Sequence, residues 1–115
     1  MPETIIECMN THMVRISARV QSHLSGSDAW QSGQRSVERG YERQSTVDMM
    51  NLIKNARTYA DGSVRVDLTP EQCDTLYACT ECMEIGGHDN AHDSDGRADM
   101  NAARALLRQL EKTTR

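Results

Sequence analysis

Side chains that could do chemistry are concentrated in residues 79–99, which read CTECMEIGGHDNAHDSDGRAD. Cys79 and Cys82 are one helical turn apart, and His88 and His92 follow at a four-residue step beyond two glycines. Thiolate and imidazole are typical ligands of structural zinc. In such sites one ligand pair usually sits in a rigid turn, whereas here both thiols are predicted to lie inside one helix. Zinc binding by these four residues is therefore the alternative hypothesis, and we expect no metal and no cofactor.

The carboxylates of the same stretch match a calcium-binding loop only in part. When Gly96 is aligned with the glycine of an EF-hand loop, Asp93 and Asp95 fall on ligand positions, but Ala91 and Ala102 occupy the first and twelfth. The bidentate glutamate is missing, so we expect Ser94 or Asp95 to cap a helix instead.

The sequence lacks the common catalytic signatures. It has no glycine-rich phosphate loop, no H-E-x-x-H, no nucleophile elbow and no zinc-deaminase pattern. Cys8 and His12 are four residues apart and could pair as nucleophile and base, but both lie near a face that is expected to pack. We predict that the protein is not an enzyme.

The elements that must position these residues are predicted to be helices. The chain has 115 residues, no Phe and one Trp, so its core must be built from aliphatic residues and methionine. Such a core favours packed helices over a β-sandwich. We predict an all-α or mostly helical fold, a small bundle of about four helices, with residues 1–115 forming a single domain.

The helices can be placed from periodicity and capping signals. A first amphipathic helix is predicted between Pro2 and Gly26, with apolar residues at three- and four-residue steps, namely Ile5, Ile6, Met9, Met13, Ile16, Val20 and Leu24. A second is predicted to begin at Ser45 and fray near Tyr59, with an apolar stripe of Met49, Leu52, Ile53 and Ala56.

Two further helices are predicted around the cysteine- and aspartate-rich stretch. The third helix is predicted to begin with Thr69 as its cap and Pro70 at its first position, and to end at Gly86 and Gly87. Its buried side is predicted to hold Cys73, Leu76, Thr80 and Met83, with Cys82 pointing away. The last helix should bury Met100, Ala103, Leu106, Leu107 and Leu110.

A short β-ribbon is predicted around residues 57–68, because Asp61-Gly62 is a hairpin turn signal between two runs that could be strands. A strand through Val64 and Val66 would be an edge. Such an edge could pair with a second copy of the chain, giving a homodimer, or capture a partner strand.

Residues 25–44 are poor in aliphatic side chains, and we predict a loop or a mobile helix there. Trp30 and Tyr41 are the aromatic residues of this segment, interleaved with Arg35, Arg39 and Arg43. We expect the aromatic residues to anchor the connection to the core. The alternative is that the five residues form a patch that binds a nucleotide or nucleic acid.

Charge is unevenly distributed along the chain. Between Thr58 and Ala103 there are ten acidic residues against two basic ones. This region predicts an acidic surface, whose partner-binding carboxylates are Asp74, Glu81, Glu84, Asp89, Asp93 and Asp95. We expect stoichiometric binding to a protein with a basic surface, and not to nucleic acid or a membrane.

Location and biological setting follow from the same observations. The first residues lack the pattern of a secretory signal, and the cysteines are few and unevenly spaced, so we expect a cytoplasmic protein. In size and charge alone the chain resembles phage-borne inhibitors of host defence, such as anti-CRISPR proteins. That resemblance implies inhibition of a host protein by direct binding.

Overall fold

Helices dominate the computed structural model, which describes residues 11–26 and 29–114. Within those residues five helices accompany one two-stranded antiparallel sheet. The elements are β1 (His12–Ile16), α1 (Ala18–Ser25), α2 (Ala29–Glu38), α3 (Arg43–Lys54), β2 (Val64–Leu68), α4 (Pro70–Asp89) and α5 (Ser94–Thr114). The prediction of a mostly helical fold with a short β-ribbon is confirmed.

The predicted first helix is wrong over residues 12–16, which form β1. Val14 and Ile16 are buried while Met13 and Arg15 are exposed, so the strand follows a period of two. The helix begins only after Ser17, whose Oγ accepts a hydrogen bond from the Val20 N–H at 3.3 Å. The predicted contributions of Ile5, Ile6, Cys8 and Met9 lie outside the described residues.

The predicted turn at Asp61-Gly62 forms, but the strand after it pairs elsewhere. Gly62 has a positive φ of 85°, and the Asp61 carboxylate accepts hydrogen bonds from the Ser63 N–H and Oγ. These bonds lower the pKa of Asp61. A single bridge joins Thr58 to Val64, and the full partner of β2 is β1, in a register that sets Val14 opposite Val66.

The core lies between the buried face of this sheet and the helices. Val14, Ile16, Val64, Val66 and Leu68 form the sheet side of one hydrophobic cluster. The helices supply the rest of it, principally Val20, Leu24, Met49, Ile53, Cys73, Leu76, Cys79, Met83, Ala103, Leu106 and Leu110. The predicted burial of Cys73, Leu76, Thr80 and Met83 on one side of α4 is confirmed.

Helix α4 is longer than predicted. Its start is as expected: Thr69 Oγ1 accepts from the Gln72 N–H, and the Gln72 side chain accepts from the Thr69 N–H in return. Its end is not, because Gly86 and Gly87 lie inside the helix, which runs to Asp89. Gly87 is buried against the first turns of α5, so the missing side chain serves helix packing and not termination.

Of the two alternatives predicted for residues 25–44, a loop or a mobile helix, the described part of the segment is largely helical. α2 occupies Ala29–Glu38, and α3 begins at Arg43, two residues before the predicted cap at Ser45. The predicted core stripe of α3 is buried at Met49 and Ile53 but exposed at Leu52. The buried side chains of α2 are Ser32 and Ser36, so this helix contributes no large, fully buried apolar residue to the core.

Trp30 does not anchor this segment, so that prediction is wrong. Its side chain is 69% exposed, the highest exposure among the large hydrophobic residues described. Tyr41 is half-buried just beyond α2, and burial raises the pKa of its phenol.

Candidate functional site

Four carboxylates gather where α4 turns into α5. We call this set, Asp89, Asp93, Asp95 and Asp99, the acidic end. The turn is held by polar contacts of its own: Asn90 Nδ2 donates to the Gly86 carbonyl at 2.8 Å, and an Arg97 guanidinium nitrogen donates to the Ala91 carbonyl at 2.8 Å. The carboxylates therefore project from a folded turn that brings residues of two helices together.

Asp93 caps α5, a role predicted for Ser94 or Asp95. Its Oδ1 accepts the Asp95 N–H at 3.1 Å, and its carbonyl accepts the Arg97 N–H at 3.0 Å. A carboxylate at this position also interacts favourably with the positive end of the helix dipole. Asp95 is exposed in the first turn, so the helix terminus helps to hold two negative charges in place.

A cleft of about 340 Å³ opens beside the acidic end, between α1, α2 and the α4–α5 turn. Its described lining includes the side chains of His23, Gln31, Cys82, Asp93, Asp95 and Asp99. None of the described residues that line it is a lysine or an arginine. The cleft thus presents three carboxylates on one wall, and its floor includes the buried Met83.

One of the carboxylates that line the cleft already has a cationic partner. A guanidinium nitrogen of Arg19 on α1 lies 2.9 Å from Asp99 Oδ1, and this hydrogen bond raises the pKa of Arg19. Both side chains remain partly exposed, so this pair adds little stability. The pair shows that the Asp99 carboxylate is accessible to a guanidinium group and is already partly neutralised.

The other predicted partner-binding acids are distributed differently. Glu81 on α4 pairs with Arg39 at 3.3 Å, and Glu84 pairs with Arg104 of α5 at 3.0 Å. Asp74 is exposed near the start of α4, away from the turn. The predicted acidic surface is therefore compensated in the middle of α4, while Asp89 ends that helix and Asp93 and Asp95 lie at the start of α5, in the lining of the cleft. Asp99 and His23 complete this site and were not among the predicted residues.

The arginines of the 35–43 segment, predicted to form a patch with Trp30 and Tyr41, make different contacts. Arg39 points to Glu81, while Arg43 donates to the Gln34 side chain at 3.2 Å on the α2–α3 side. The Arg35 Nε atom is buried and has no hydrogen-bond partner. Each guanidinium group thus has a different environment.

The four predicted zinc ligands are not brought together. Cys79 is fully buried and Cys82 half-buried, while His88 and His92 are exposed. Throughout the part of the chain that the structure describes, no three His, Cys, Asp or Glu residues are arranged to hold a metal ion. Burial raises the pKa of the Cys79 thiol to about 12, which disfavours the thiolate that a metal would bind.

No helix among the described residues is long and apolar enough to span a membrane. Comparisons with protein-family models, curated proteins and solved structures find no match for this chain. The geometry and charge of the site are therefore what bear on function.

Proposed function

We propose that this protein works without catalysis, by stoichiometric binding of a protein partner that carries a basic surface, and that the acidic end is its contact site. The single observation that carries the proposal is the cleft lined by Asp93, Asp95 and Asp99. Carboxylates held in one concave site attract cations more strongly than the same charges spread over a flat surface.

A lysine or arginine side chain of the partner is the ligand that this cleft fits. Its charged head would meet the carboxylates, as the Arg19 guanidinium already meets Asp99 at 2.9 Å. Its aliphatic stem would pack against Gly86 and Met83 on the floor. Arginine has the advantage of bidentate hydrogen bonding to a carboxylate.

The charge of the site also favours a kind of partner. An acidic end repels nucleic acid but complements a groove that normally binds a phosphate backbone. Occupation of such a groove would inhibit the partner directly, as a phage-borne inhibitor of host defence would in the cytoplasm of an infected cell. Inhibition of this kind needs no chemical step.

The test begins with affinity purification of the partner from the cell that makes the protein, followed by binding measurements with both proteins pure. The double variant Asp89→Lys with Asp95→Lys reverses two exposed charges and leaves the Asp93 cap and the Arg19–Asp99 pair in place. We expect its affinity to fall at least about tenfold, mainly through slower association, and wild-type binding to weaken as salt rises.

The matched control is Glu38→Lys with Glu42→Lys, which makes the same change in net charge at two exposed positions, the last residue of α2 and the residue before α3. Affinity of this control within about twofold of wild type supports the acidic end as the site. If both double variants lost affinity equally, the effect would come from net charge and not from the acidic end. An unchanged affinity in the Asp89 and Asp95 variant would refute the proposal.

A further inference from the structure

The outward-facing backbone groups of β1 and of β2 have different contacts. Along β1 the Gln109 side chain of α5 satisfies the outward backbone groups of Arg15: its Oε1 accepts the Arg15 N–H at 2.8 Å, and its Nε2 donates to the Arg15 carbonyl at 2.9 Å. The backbone of Arg15 therefore points away from β2. This fixes which residues of β2 face outward.

Arg65 lies directly opposite Arg15 in the register. In an antiparallel pair, two opposed residues either exchange both backbone hydrogen bonds or both point away from each other. Because Arg15 points away, Arg65 does so too, and Asp67, two residues further on, has the same direction. The outer edge of β2 thus carries the backbone groups of Arg65 and Asp67.

Among residues 11–26 and 29–114, those that pair with this edge cover only its beginning. Thr58 forms its bridge with Val64, and the Tyr59 N–H donates to the Ser63 carbonyl at 2.8 Å. Beyond the bridge, no described residue extends the sheet past β2. The N–H and carbonyl of Asp67 lie in this open part.

A groove of about 660 Å³ runs beside the open part, between β2 and α3. The wall opposite β2 carries Asn51 and Asn55, which are one turn apart, together with Leu52, 48% exposed. Carboxylates of Asp48 and Asp67 lie in the lining with Arg65, so the formal charge of the lining is negative. The groove thus combines backbone groups, side-chain amides, an apolar contact and negative charge.

We propose that this groove binds an extended peptide segment of a partner protein, with basic residues, as an added strand. On one side the peptide backbone would bond to Asp67 and to the Arg65 carbonyl. On the other side the amides of Asn51 and Asn55 would meet it, and Leu52 would contact its apolar side chains. Lysine or arginine side chains of the peptide would complement Asp48 and Asp67.

A second copy of this chain fits less well. Pairing two β2 strands about Val66 would place Asp67 of each copy opposite Arg65 of the other, which suits the charges. The strand of the second copy would then continue past Arg65 to the position opposite Val64, where Thr58 already forms its bridge. The groove therefore takes a strand that ends or turns at this point.

The experiment uses the intact chain and a synthetic peptide of about seven residues with alternating lysine and valine. Titration followed by NMR should shift the Asp67 amide and the side-chain amides of Asn51 and Asn55. Asp67→Pro removes the outward N–H but no bond to β1, since proline is tolerated on the open side of an edge strand. It should weaken binding about tenfold, the equivalent of one well-formed hydrogen bond.

Three controls separate strand addition from binding through charge or side chains alone. Asp67→Asn keeps the N–H and should lose less affinity than Asp67→Pro. A peptide N-methylated at alternate residues keeps its charge and should not bind. Val47→Lys changes an exposed apolar residue of α3 that is not in the groove lining and should bind the peptide like wild type.

Several results would overturn the proposal. Shifts confined to the acidic end would make the peptide a ligand of that site by charge alone. Equal binding of Asp67→Pro and wild type would exclude the strand edge. If the peptide bound only after deletion of residues 1–10, the occupant of the groove would be that segment of the chain itself. If the protein self-associated and Asp67→Pro abolished the self-association, the occupant would be a second copy of the chain.

Discussion

Gly87 of α4 lies directly against Met100 of α5: a β-carbon at position 87 would lie 2.5 Å from the Met100 backbone nitrogen. The two longest helices can approach this closely only because position 87 has no side chain. We expect Gly87→Ala to lower the free energy of unfolding by about 2 kcal/mol or more, because backbone cannot move aside as a flexible side chain can.

The neighbouring glycine provides the control for this prediction. A β-carbon at Gly86 would meet nothing within 4 Å, and the residue is inside a helix. Gly86→Ala should therefore raise the free energy of unfolding by about 0.5–1 kcal/mol. Urea denaturation of both variants measures the difference. Two substitutions of equal effect would show that α4 and α5 do not approach as described.

A second prediction concerns the two hydrogen bonds between the Gln109 side chain and the backbone of Arg15 in β1. Gln109→Leu keeps the size of the side chain but removes both hydrogen bonds to Arg15. We expect a loss of about 1 kcal/mol in the free energy of unfolding and faster amide exchange at Arg15. Asn101→Leu, at an exposed position of the same helix, should not change exchange at Arg15. Unchanged exchange in Gln109→Leu would contradict the bond.

Thiol reactivity gives a third prediction. Cys79 is buried with a raised pKa, and burial also raises the pKa of Cys73, whereas Cys82 is half-buried and lines the cleft. In the native protein, iodoacetamide should modify Cys82 at least about ten times faster than Cys73 and Cys79. Site-resolved mass spectrometry measures the rates. In urea the difference should disappear; equal rates in the native protein would place the buried thiols in contact with solvent.

The fourth prediction is the dependence of stability on alkaline pH. Since the pKa of Cys79 is about 12 in the folded protein and that of an unfolded thiol is about 8.5, the folded state binds more protons between these values. The free energy of unfolding should therefore fall as pH rises through this interval, by up to about 1.4 kcal/mol per pH unit for this thiol. Cys79→Ala should be less stable at neutral pH but show a shallower alkaline slope. An identical slope would contradict the shift.

The exposure of Trp30 gives the fifth prediction. It is the only tryptophan of the chain, so fluorescence excited selectively in the indole band, beyond tyrosine absorption, reports on it alone. Acrylamide should quench it almost as well in the native protein as in urea, and Trp30→Ala should cost less than about 0.5 kcal/mol. Leu24→Ala, at a position 1% exposed, should cost about 2–5 kcal/mol. Native Trp30 that resists quenching would restore its predicted role as an anchor.

What the sequence predicted well depended on residues close together in the chain. The start of α4 follows from Thr69, Pro70 and Gln72, which lie within one turn of each other and satisfy each other's backbone groups. The turn at Asp61-Gly62 needs only the conformational freedom of a glycine and the Asp61 carboxylate. The excess of carboxylates in residues 58–103 is a count that no fold can change.

The errors arose where two local patterns were equivalent. Residues 12–16 fit a helical stripe through Met13 and Ile16 as well as a strand through Val14 and Ile16. Residues 12–16 form a strand because they pair with residues 64–68, which lie far along the chain and supply the backbone hydrogen bonds. Likewise, Gly87 is typical of a helix end until α5 packs against it.

By itself, then, the sequence determined the helical character of the chain, the caps that begin α4 and the charge of its second half, because each depends on short-range interactions or on composition. Only the tertiary structure decided which carboxylates are paired with arginines. It set Arg39 and Arg104 beside Glu81 and Glu84, and Arg19 beside Asp99, and it placed Asp93, Asp95 and Asp99 in the lining of one cleft. Electrostatic interactions depend on distance through space, and for pairs such as Arg39–Glu81 and Arg19–Asp99 that distance is fixed by the packing of helices that are remote in sequence.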